Sequence, residues 1–133
     1  MTEEGRKSGS FRPLVMVVDD VDDIRSVLHL WLERPGYDVL EAEGGRHAVE
    51  LAQSVRPTLI LMDISMPGGD GLNATRLLRE HAHLRDVPII VISANETKYY
   101  RAAAYAAGCT AYLVKPIDPY ELESLLGAVI ARK

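Results

Sequence analysis

The sequence contains little cysteine, few aromatic residues and no long apolar segment. Its 133 residues include one cysteine, Cys109, and Phe, Trp and Tyr together make up 6%. A lone cysteine excludes an internal disulfide framework, and no apolar run approaches the ~18 residues that cross a membrane. Met1–Pro13 is polar and offers no apolar core for a secretory signal. We therefore expect a cytoplasmic protein with no membrane association.

An excess of positive charge is also missing. The chain has 15 Lys and Arg against 19 Asp and Glu, a net charge of −4 and a pI of about 5.5. Modules that bind nucleic acid usually have a basic face, so direct binding of DNA or RNA is not expected. Hydrophobic residues make up 47% and charged residues 26%, which is typical of one soluble globular domain at this length.

Short apolar runs divide the chain into a regular series. Residues 1–12 predict a flexible N-terminal tail, rich in Gly, Ser and charged residues, and residues 13–133 are assigned to the domain. Short runs rich in β-branched residues are typical of buried strands in a parallel sheet. Four such strands are predicted, at Leu14–Val18, Leu59–Met62, Ile89–Ile92 and Ala111–Val114. Tyr37–Ala42, the second strand in chain order, is interrupted by Asp38 and Glu41 and is predicted to be an edge strand.

Amphipathic segments follow these strands. The first helix is predicted from one apolar stripe, made of Ile24, Val27, Leu28, Trp31 and Leu32. Further helices are predicted around Ala48–Val55, at Gly71–His83, at Thr97–Ala107 and around Leu122–Ile130. Because parallel strands need crossover helices, the alternation predicts a three-layer α/β sandwich around a doubly wound, five-stranded parallel sheet.

Three carboxylates stand where two of the predicted strands end. Asp19 and Asp20 follow the first strand, and Asp63 follows the third. Ligands of open parallel sheets bind beyond the carboxyl ends of the strands, so these side chains converge if the two strands are neighbours. Clustered carboxylates repel one another, and Mg²⁺ suits such a cluster because it keeps further positions for water and phosphate oxygens.

Two other strand ends carry complementary side chains. Ser93 follows the fourth strand and offers a hydroxyl donor, and Lys115 follows the fifth and offers an ammonium group. An aspartate beside Mg²⁺ can act as a nucleophile and form an aspartyl phosphate. The cation and Lys115 would offset the charge of the transferring group, while Ser93 would hydrogen-bond one of its oxygens.

Each of these residues also has a purely structural interpretation. Aspartate after a strand is often a turn former, a strand-terminal serine is often a turn residue, and lysine is mostly solvated surface. The four histidines are scattered on predicted helices without the spacing of a metal pair, and Trp31 and Cys109 are interpreted as packing residues. The joint placement of the carboxylates, not any one of them, indicates a site.

Four motifs in this order resemble those of the receiver domains of two-component response regulators. They are Val17–Asp20 (VVDD), Leu61–Gly71 (LMDISMPGGDG), Val91–Ala94 (VISA) and Tyr112–Pro116 (YLVKP). The resemblance extends from about Leu14 to Ile130 and implies a flavodoxin-like sheet with strand order 2-1-3-4-5. It also implies that Asp63 takes a phosphoryl group from a sensor histidine kinase or a histidine phosphotransfer protein.

The resemblance implies a role for each site residue. Asp20 and Asp63 would bind Mg²⁺ directly, Asp19 would act through water, and the Ser65 backbone carbonyl would complete the protein ligands. Lys115 and Ser93 would bind the phosphoryl group.

The resemblance further implies a switch and two tuning positions. Ser93 would move toward the phosphoryl group and Tyr112 would turn inward, which would reshape the face formed by the fourth helix, fifth strand and fifth helix for an effector protein or a homodimer. Tyr112 can also be read as half-buried packing on an edge strand. Ser65 and Asn95 occupy positions that tune the hydrolysis rate. The alanine-rich helix Thr97–Ala107, which carries three tyrosines, is the expected partner or dimer surface.

Three alternatives compete with this interpretation. A haloacid-dehalogenase-like phosphatase also uses a strand-end aspartate and Mg²⁺, but it needs a second aspartate at the position of Ser65. A flavin-binding protein needs a first loop that attracts phosphate, whereas Asp19 and Asp20 would repel it. A docking module that is not phosphorylated would not need the intact set of Asp19, Asp20, Asp63, Ser93 and Lys115. We therefore expect a signalling phosphoacceptor that catalyses only its own phosphotransfer and slow hydrolysis, with any output domain outside this chain.

Overall fold

The computed structural model describes residues 12–67, 70–95 and 97–131. Its strands are β1 (Leu14–Val18), β2 (Asp38–Ala42), β3 (Leu59–Asp63), β4 (Ile89–Ser93) and β5 (Ala111–Val114). They form one five-stranded sheet in the order β2-β1-β3-β4-β5, and every neighbouring pair is parallel. The predicted strand order, the parallel sheet and the edge position of the second strand are confirmed.

Five helices connect and flank the strands. They are α1 (Asp22–Glu33), α2 (Gly45–Ser54), α3 (Asp70–Glu80), α4 (Lys98–Ala107) and α5 (Pro119–Ala131). The predicted third helix extends too far, because α3 ends at Glu80 and a short 3₁₀ turn follows at Ala82–Leu84. The tighter 3₁₀ hydrogen bonds interrupt the helix here. They place the Leu84 side chain, which is 1% exposed, in the core.

Alternate strand residues supply two apolar layers. Met16 and Val18 of β1 face the layer that contains α2, α3 and α4, whereas Val15 and Val17 face the layer with α1 and α5. All four are essentially inaccessible to water, which is why the strand sequences are continuously apolar. Each such side chain contributes roughly 1.5–3 kcal/mol through burial. The sandwich therefore has the three layers that were predicted.

The apolar stripe of α1 is only partly buried, which corrects the sequence interpretation. Leu28 and Leu32 pack into the core, but Ile24 is 37% and Val27 is 43% exposed. The third buried residue of this helix is Arg25, which lies three and seven positions before the two leucines. The helix therefore contacts the sheet along a line rotated away from the centre of its apolar face.

The first described residue, Arg12, lies beside β2. Residues 1–11 of the predicted tail lie outside the described residues, but Arg12 is described, and its Nε donates a hydrogen bond of 2.9 Å to Asp38 Oδ1.

None of the helices in the described part of the chain is long and apolar enough to cross a membrane.

The chain reverses its winding direction between β1 and β3. β2 lies on one side of β1, and β3 begins the opposite half of the sheet. Ligand sites in open α/β sheets occur beyond the carboxyl ends of the strands at such a switch point. The end of β1 and the end of β3 are therefore the part of the fold where a site is expected.

Candidate functional site

Three carboxylates meet at this switch point. Asp19 and Asp20 follow β1, and Asp63 is the last residue of β3, beside β1 in the sheet. One oxygen from each of the three lies within 4.8 Å of the others. Asp19 and Asp63 are 2% and 3% exposed, and Asp20 is exposed to solvent. Among the residues that the structure describes, this is the acidic cluster able to hold a metal ion.

The surroundings of Asp19 disfavour its ionised form. Burial, a hydrogen bond with Asp63 and the charge of Asp63 together raise the pKa of Asp19 to about 6. A hydrogen bond of 2.9 Å from the Val21 amide and the charge of Lys115 act in the opposite direction. Burial and the neighbouring Asp63 therefore disfavour the ionised form of Asp19, and a cation between the two carboxylates would stabilise it.

Asp63 has both carboxylate oxygens engaged. Its Oδ1 accepts a hydrogen bond of 2.7 Å from the Ser65 amide, and its Oδ2 accepts one of 3.0 Å from Lys115 Nζ. The Lys115 side chain is 25% exposed, so its ammonium reaches the cleft from the rim. This ion pair places a positive charge beside Asp63 Oδ2.

Ser93 and Lys115 are joined through the sheet. Ser93 is the last residue of β4 and is 2% exposed, and its backbone carbonyl accepts a hydrogen bond of 2.9 Å from the Lys115 amide. Its hydroxyl accepts a hydrogen bond of 3.0 Å from the Asn95 amide. A hydroxyl that accepts one bond keeps its own proton free for donation to another group.

Tyr112 lies behind these residues with its ring inward. The ring is 7% exposed, and its hydroxyl donates a hydrogen bond of 2.5 Å to the Asn95 carbonyl. The Arg101 guanidinium lies 4.7 Å from the ring centroid, in a cation–π arrangement. The resemblance associates the inward position of this ring with the phosphorylated form. In this structure the ring is inward while Lys115 is paired with Asp63.

The two predicted tuning residues have local partners. The Ser65 hydroxyl accepts a hydrogen bond of 3.1 Å from the Ala94 amide, which links the segment after β3 to the segment after β4. The Asn95 side-chain oxygen accepts one of 2.9 Å from the Thr97 amide, immediately before α4. Ser65 therefore lies between Asp63 and the β4–α4 segment, whereas the Asn95 side-chain oxygen is directed to the start of α4.

Gly71 permits the close approach of α3 to Asp63. A Cβ atom at this position would lie 2.5 Å from the Asp63 backbone oxygen and 2.9 Å from Ile64 Cα. Both contacts are shorter than packed atoms allow, and both involve backbone that cannot rotate away. The glycine at the start of α3 is therefore part of the geometry that fixes Asp63.

Sequence reasoning missed a charged network beside the acidic pair. Arg25 binds Glu41, and Glu41 also binds His29, so α1 and β2 are joined by these side chains. The signal was the position of Arg25 on the same helical line as Leu28 and Leu32. An arginine on a buried line requires acceptors, and Glu41 on the neighbouring edge strand supplies one.

The thiol of Cys109 lies outside these groups and is buried. Cys109 is 8% exposed, and burial raises the pKa of its thiol to about 11. A thiol with so high a pKa carries little thiolate at neutral pH, which agrees with its interpretation as a packing residue.

Comparison with known proteins identifies the family. The family model of the response regulator receiver domain matches residues 15–127. The chain belongs to this family. The receiver motifs, the strand order and the acidic cluster therefore all belong to the receiver fold. Receiver domains are signalling modules and not typical enzymes. The family match favours this interpretation over the phosphatase and flavin-binding alternatives.

Similar proteins include a transcriptional regulatory protein and a chemotaxis protein. The transcriptional regulatory protein SrrA of Staphylococcus aureus is 35% identical over 118 residues, which cover 89% of this chain and 48% of SrrA. The receiver thus spans about half the length of the curated relatives it matches. The chemotaxis protein CheY4 of Vibrio cholerae superposes with a TM-score of 0.85 at 30% identity, covering 90% of this chain and 99% of CheY4.

A further solved structure is the receiver domain of the sensor histidine kinase PA1611 from Pseudomonas aeruginosa. It has a TM-score of 0.84 at 34% identity and covers 91% of this receiver and 99% of its own chain. That structure has a magnesium ion coordinated in its active-site cleft.

Proposed function

We propose that this receiver is a phosphoacceptor in a two-component or phosphorelay pathway and that Asp63 receives the phosphoryl group. The observation that carries the proposal is the placement of Asp63, buried between an acidic pair on one side and the Lys115 ammonium on the other. A carboxylate held between a cation site and a fixed positive charge is suited to accept a highly charged group.

The donor set fits Mg²⁺. Hard oxygen ligands that include clustered carboxylates are the ligands this ion prefers. Burial and the neighbouring Asp63 raise the pKa of Asp19 to about 6, and a bound cation would favour its ionised form. Asp20 and Asp63 would bind it directly, Asp19 through water, and the Ser65 carbonyl would complete the protein ligands. The ion would offset negative charge on the transferring phosphoryl group.

The chain's own residues perform the transfer. An oxygen of Asp63 attacks phosphorus, the bond between phosphorus and the donor histidine nitrogen breaks, and a phosphorus–oxygen bond forms. Lys115 leaves Asp63 Oδ2 and pairs with a phosphoryl oxygen. The Ser93 hydroxyl donates a hydrogen bond to another phosphoryl oxygen. The protein catalyses this phosphotransfer and the slow hydrolysis of its own aspartyl phosphate, and Ser65 and Asn95 tune the hydrolysis rate.

The output surface is formed by α4, β5 and α5. Ser93 and Tyr112 are joined through Asn95, so a change at Ser93 alters the support of the Tyr112 ring. Beside that ring lies a groove of about 410 Å³ between α4, β5 and α5, and Tyr99 and Tyr105 of α4 are exposed nearby. We propose that an effector protein or a second copy of the receiver binds this face.

The phosphodonor contacts a different surface. A protein that carries a phosphohistidine must bring it to Asp63 and therefore must contact the rim of the cleft. The exposed residues Val21, Ile24 and Val27 form an apolar patch there, and a groove of about 600 Å³ extends from it to Lys115 and Ile117. Contiguous exposed apolar surface marks interaction sites. The proposed donor is a sensor histidine kinase or a histidine phosphotransfer protein, which places the reaction in the cytoplasm.

Phosphorylation by a small donor tests the proposal. The protein is incubated with acetyl phosphate and Mg²⁺, and its intact mass is measured. A single phosphoryl adduct is expected, and it should be absent with EDTA and in Asp63→Asn. Glu50→Gln, an exposed carboxylate on α2, is the matched control and should form the adduct. The proposal is wrong if the folded wild-type protein forms no adduct, or if phosphate is released with many turnovers and no adduct.

A further inference from the structure

A buried arginine holds the turn that carries the acidic pair. Arg25 is 7% exposed, and its guanidinium donates three hydrogen bonds to groups on different segments. Nη1 binds the Asp19 backbone carbonyl at 2.8 Å, Nε binds Glu41 Oε1 at 2.9 Å, and Nη2 binds Asp22 Oδ1 at 2.6 Å. One side chain therefore links the end of β1, the first turn of α1 and the edge strand β2.

Packing alone does not explain an arginine at this position. Its helical line is otherwise occupied by Leu28 and Leu32, and an apolar residue would continue that line without the cost of burying a charge. A buried ion pair is often no more stabilising than well-packed apolar side chains of similar volume. What an apolar residue could not provide is the hydrogen bond to the Asp19 carbonyl.

Glu41 is itself held in place, so it is a firm anchor for Arg25. Its second oxygen is 2.6 Å from His29 Nδ1, and the other ring nitrogen of His29 is 3.0 Å from Glu33 Oε2. Hydrogen bonds from His29 and Arg25 lower the pKa of Glu41, which keeps it ionised at neutral pH. Its backbone is fixed by β2, where it pairs with Val17 of β1.

The backbone of Asp19 is consequently held at both of its polar atoms. Its amide donates a hydrogen bond of 3.2 Å to the Ala42 carbonyl, and its carbonyl accepts the bond from Arg25. The peptide group between Asp19 and Asp20 includes that carbonyl, so its orientation sets the direction in which both carboxylates project. We propose that Arg25, anchored by Glu41, is a positioning residue that orients the Asp19–Asp20 turn for Mg²⁺.

This inference rests on the proposed function, because it needs a cation at the acidic cluster. It makes a prediction whose sign differs from that of simple electrostatics. Removing a positive charge close to an acidic cluster should strengthen cation binding by Coulomb's law. Removing a residue that orients the ligands should weaken it, by about tenfold for typical supporting residues of metal sites.

The experiment compares Mg²⁺ binding to the full chain in four proteins, by isothermal titration calorimetry. They are the wild type, Arg25→Met, Arg25→Lys and Arg34→Met. Arg34 is exposed at the end of α1, so its replacement removes one positive charge without touching the turn. Lysine keeps the charge of Arg25 but cannot bridge three acceptors with a fixed fork. Thermal unfolding without Mg²⁺ reports whether each variant is folded.

We expect a dissociation constant about tenfold higher in Arg25→Met and raised in Arg25→Lys, with Arg34→Met close to the wild type. The loss of phosphorylation by acetyl phosphate should shrink as Mg²⁺ approaches saturation, because the defect is in cation binding. If Arg25→Met does not fold, the Mg²⁺ affinity of Arg25→Lys compared with that of the wild type tests the proposal.

Two negative results have different meanings. If the folded wild type shows no Mg²⁺ binding, the proposed function itself fails. If the wild type binds Mg²⁺ and the folded Arg25 variants bind it equally or more tightly, the positioning role is overturned and the proposed function stands.

Discussion

Lys115 Nζ lies 3.0 Å from Asp63 Oδ2 and so occupies an oxygen of the proposed nucleophile. The two side chains are 25% and 4% exposed, so the pair is shielded from solvent on the Asp63 side. A cation bound in the cleft and the Lys115 ammonium would therefore share one carboxylate. In the proposed phosphotransfer the ammonium would move from the aspartate to the new group, which would make this ion pair the contact that changes on phosphorylation.

Replacing Lys115 by methionine should separate cation binding from phosphoryl transfer. Because a competing positive charge is lost, Mg²⁺ should bind several-fold more tightly to Lys115→Met, on the order of 1 kcal/mol. Adduct formation from acetyl phosphate should become slower, because no side-chain cation stabilises the transferring group. Calorimetry and time-resolved intact mass measure the two effects. Lys98→Met, an exposed position on α4, is the control, and weaker Mg²⁺ binding in Lys115→Met would contradict the prediction.

Replacing Asp19 by asparagine should stabilise the protein in the absence of divalent cations. The pKa of Asp19 is raised from 3.8 to about 6, so ionisation of Asp19 at neutral pH destabilises the folded protein. The unfolding free energy of Asp19→Asn should exceed that of the wild type by about 1–3 kcal/mol at pH 7.5.

The pH dependence of this difference has a defined sign. Between pH 6 and pH 3.8 the folded wild type binds a proton that the unfolded chain releases, so its stability relative to Asp19→Asn increases as the pH falls. Urea unfolding at pH 7.5 and pH 5 measures the difference, which should shrink at the lower pH. Mg²⁺ should raise the melting temperature of the wild type by more than that of Asp19→Asn, which keeps the two direct ligands Asp20 and Asp63. A larger difference at pH 5 than at pH 7.5 would rule out this account.

Two glycine-to-alanine substitutions should have opposite effects on stability. Gly71→Ala places a Cβ 2.5 Å from the Asp63 carbonyl and should destabilise the fold by about 1–3 kcal/mol, with weaker Mg²⁺ binding. Gly127→Ala is the matched control, since a Cβ there meets nothing within 4 Å. It should stabilise α5 by about 0.5–1 kcal/mol and leave Mg²⁺ binding unchanged. Equal effects in both variants would show that the contact at Gly71 is unimportant.

Polar substitutions on α1 should impair transfer from a protein donor only. The double variant Ile24→Ser and Val27→Ser should accept phosphoryl groups about tenfold more slowly from a phosphorylated histidine phosphotransfer protein that serves the wild type. Its reaction with acetyl phosphate should be unchanged, because neither residue lies in the cleft. Leu30→Ser is the control, because Leu30 is on α1 and 63% exposed but lies outside the patch. Equal slowing with both donors would indicate damage to the site and not to a docking surface.

The sequence predicted the architecture and the strand-end aspartates correctly because both depend on local patterns. Continuous apolar runs such as Leu59–Met62 mark buried parallel strands, and a strand-end position is read directly from the last apolar residue. The strand order came from the resemblance to receivers, and it brings Asp63 beside Asp19. Once the order is known, the convergence of the carboxylates follows from the geometry of a parallel sheet.

Contacts between distant segments were decided only by the tertiary structure. The amphipathic pattern of α1 specified an apolar face, but not which half of it meets the sheet, so Ile24 and Val27 are exposed while Arg25 is buried. Hydrogen bonds such as Arg25 to the Asp19 carbonyl, or Tyr112 to the Asn95 carbonyl, depend on the packing angle of a helix or strand. By itself the sequence determined which chemical groups stand at the strand ends. The three-dimensional packing decided which neighbours hold those groups in place, because those neighbours come from segments far apart in the chain.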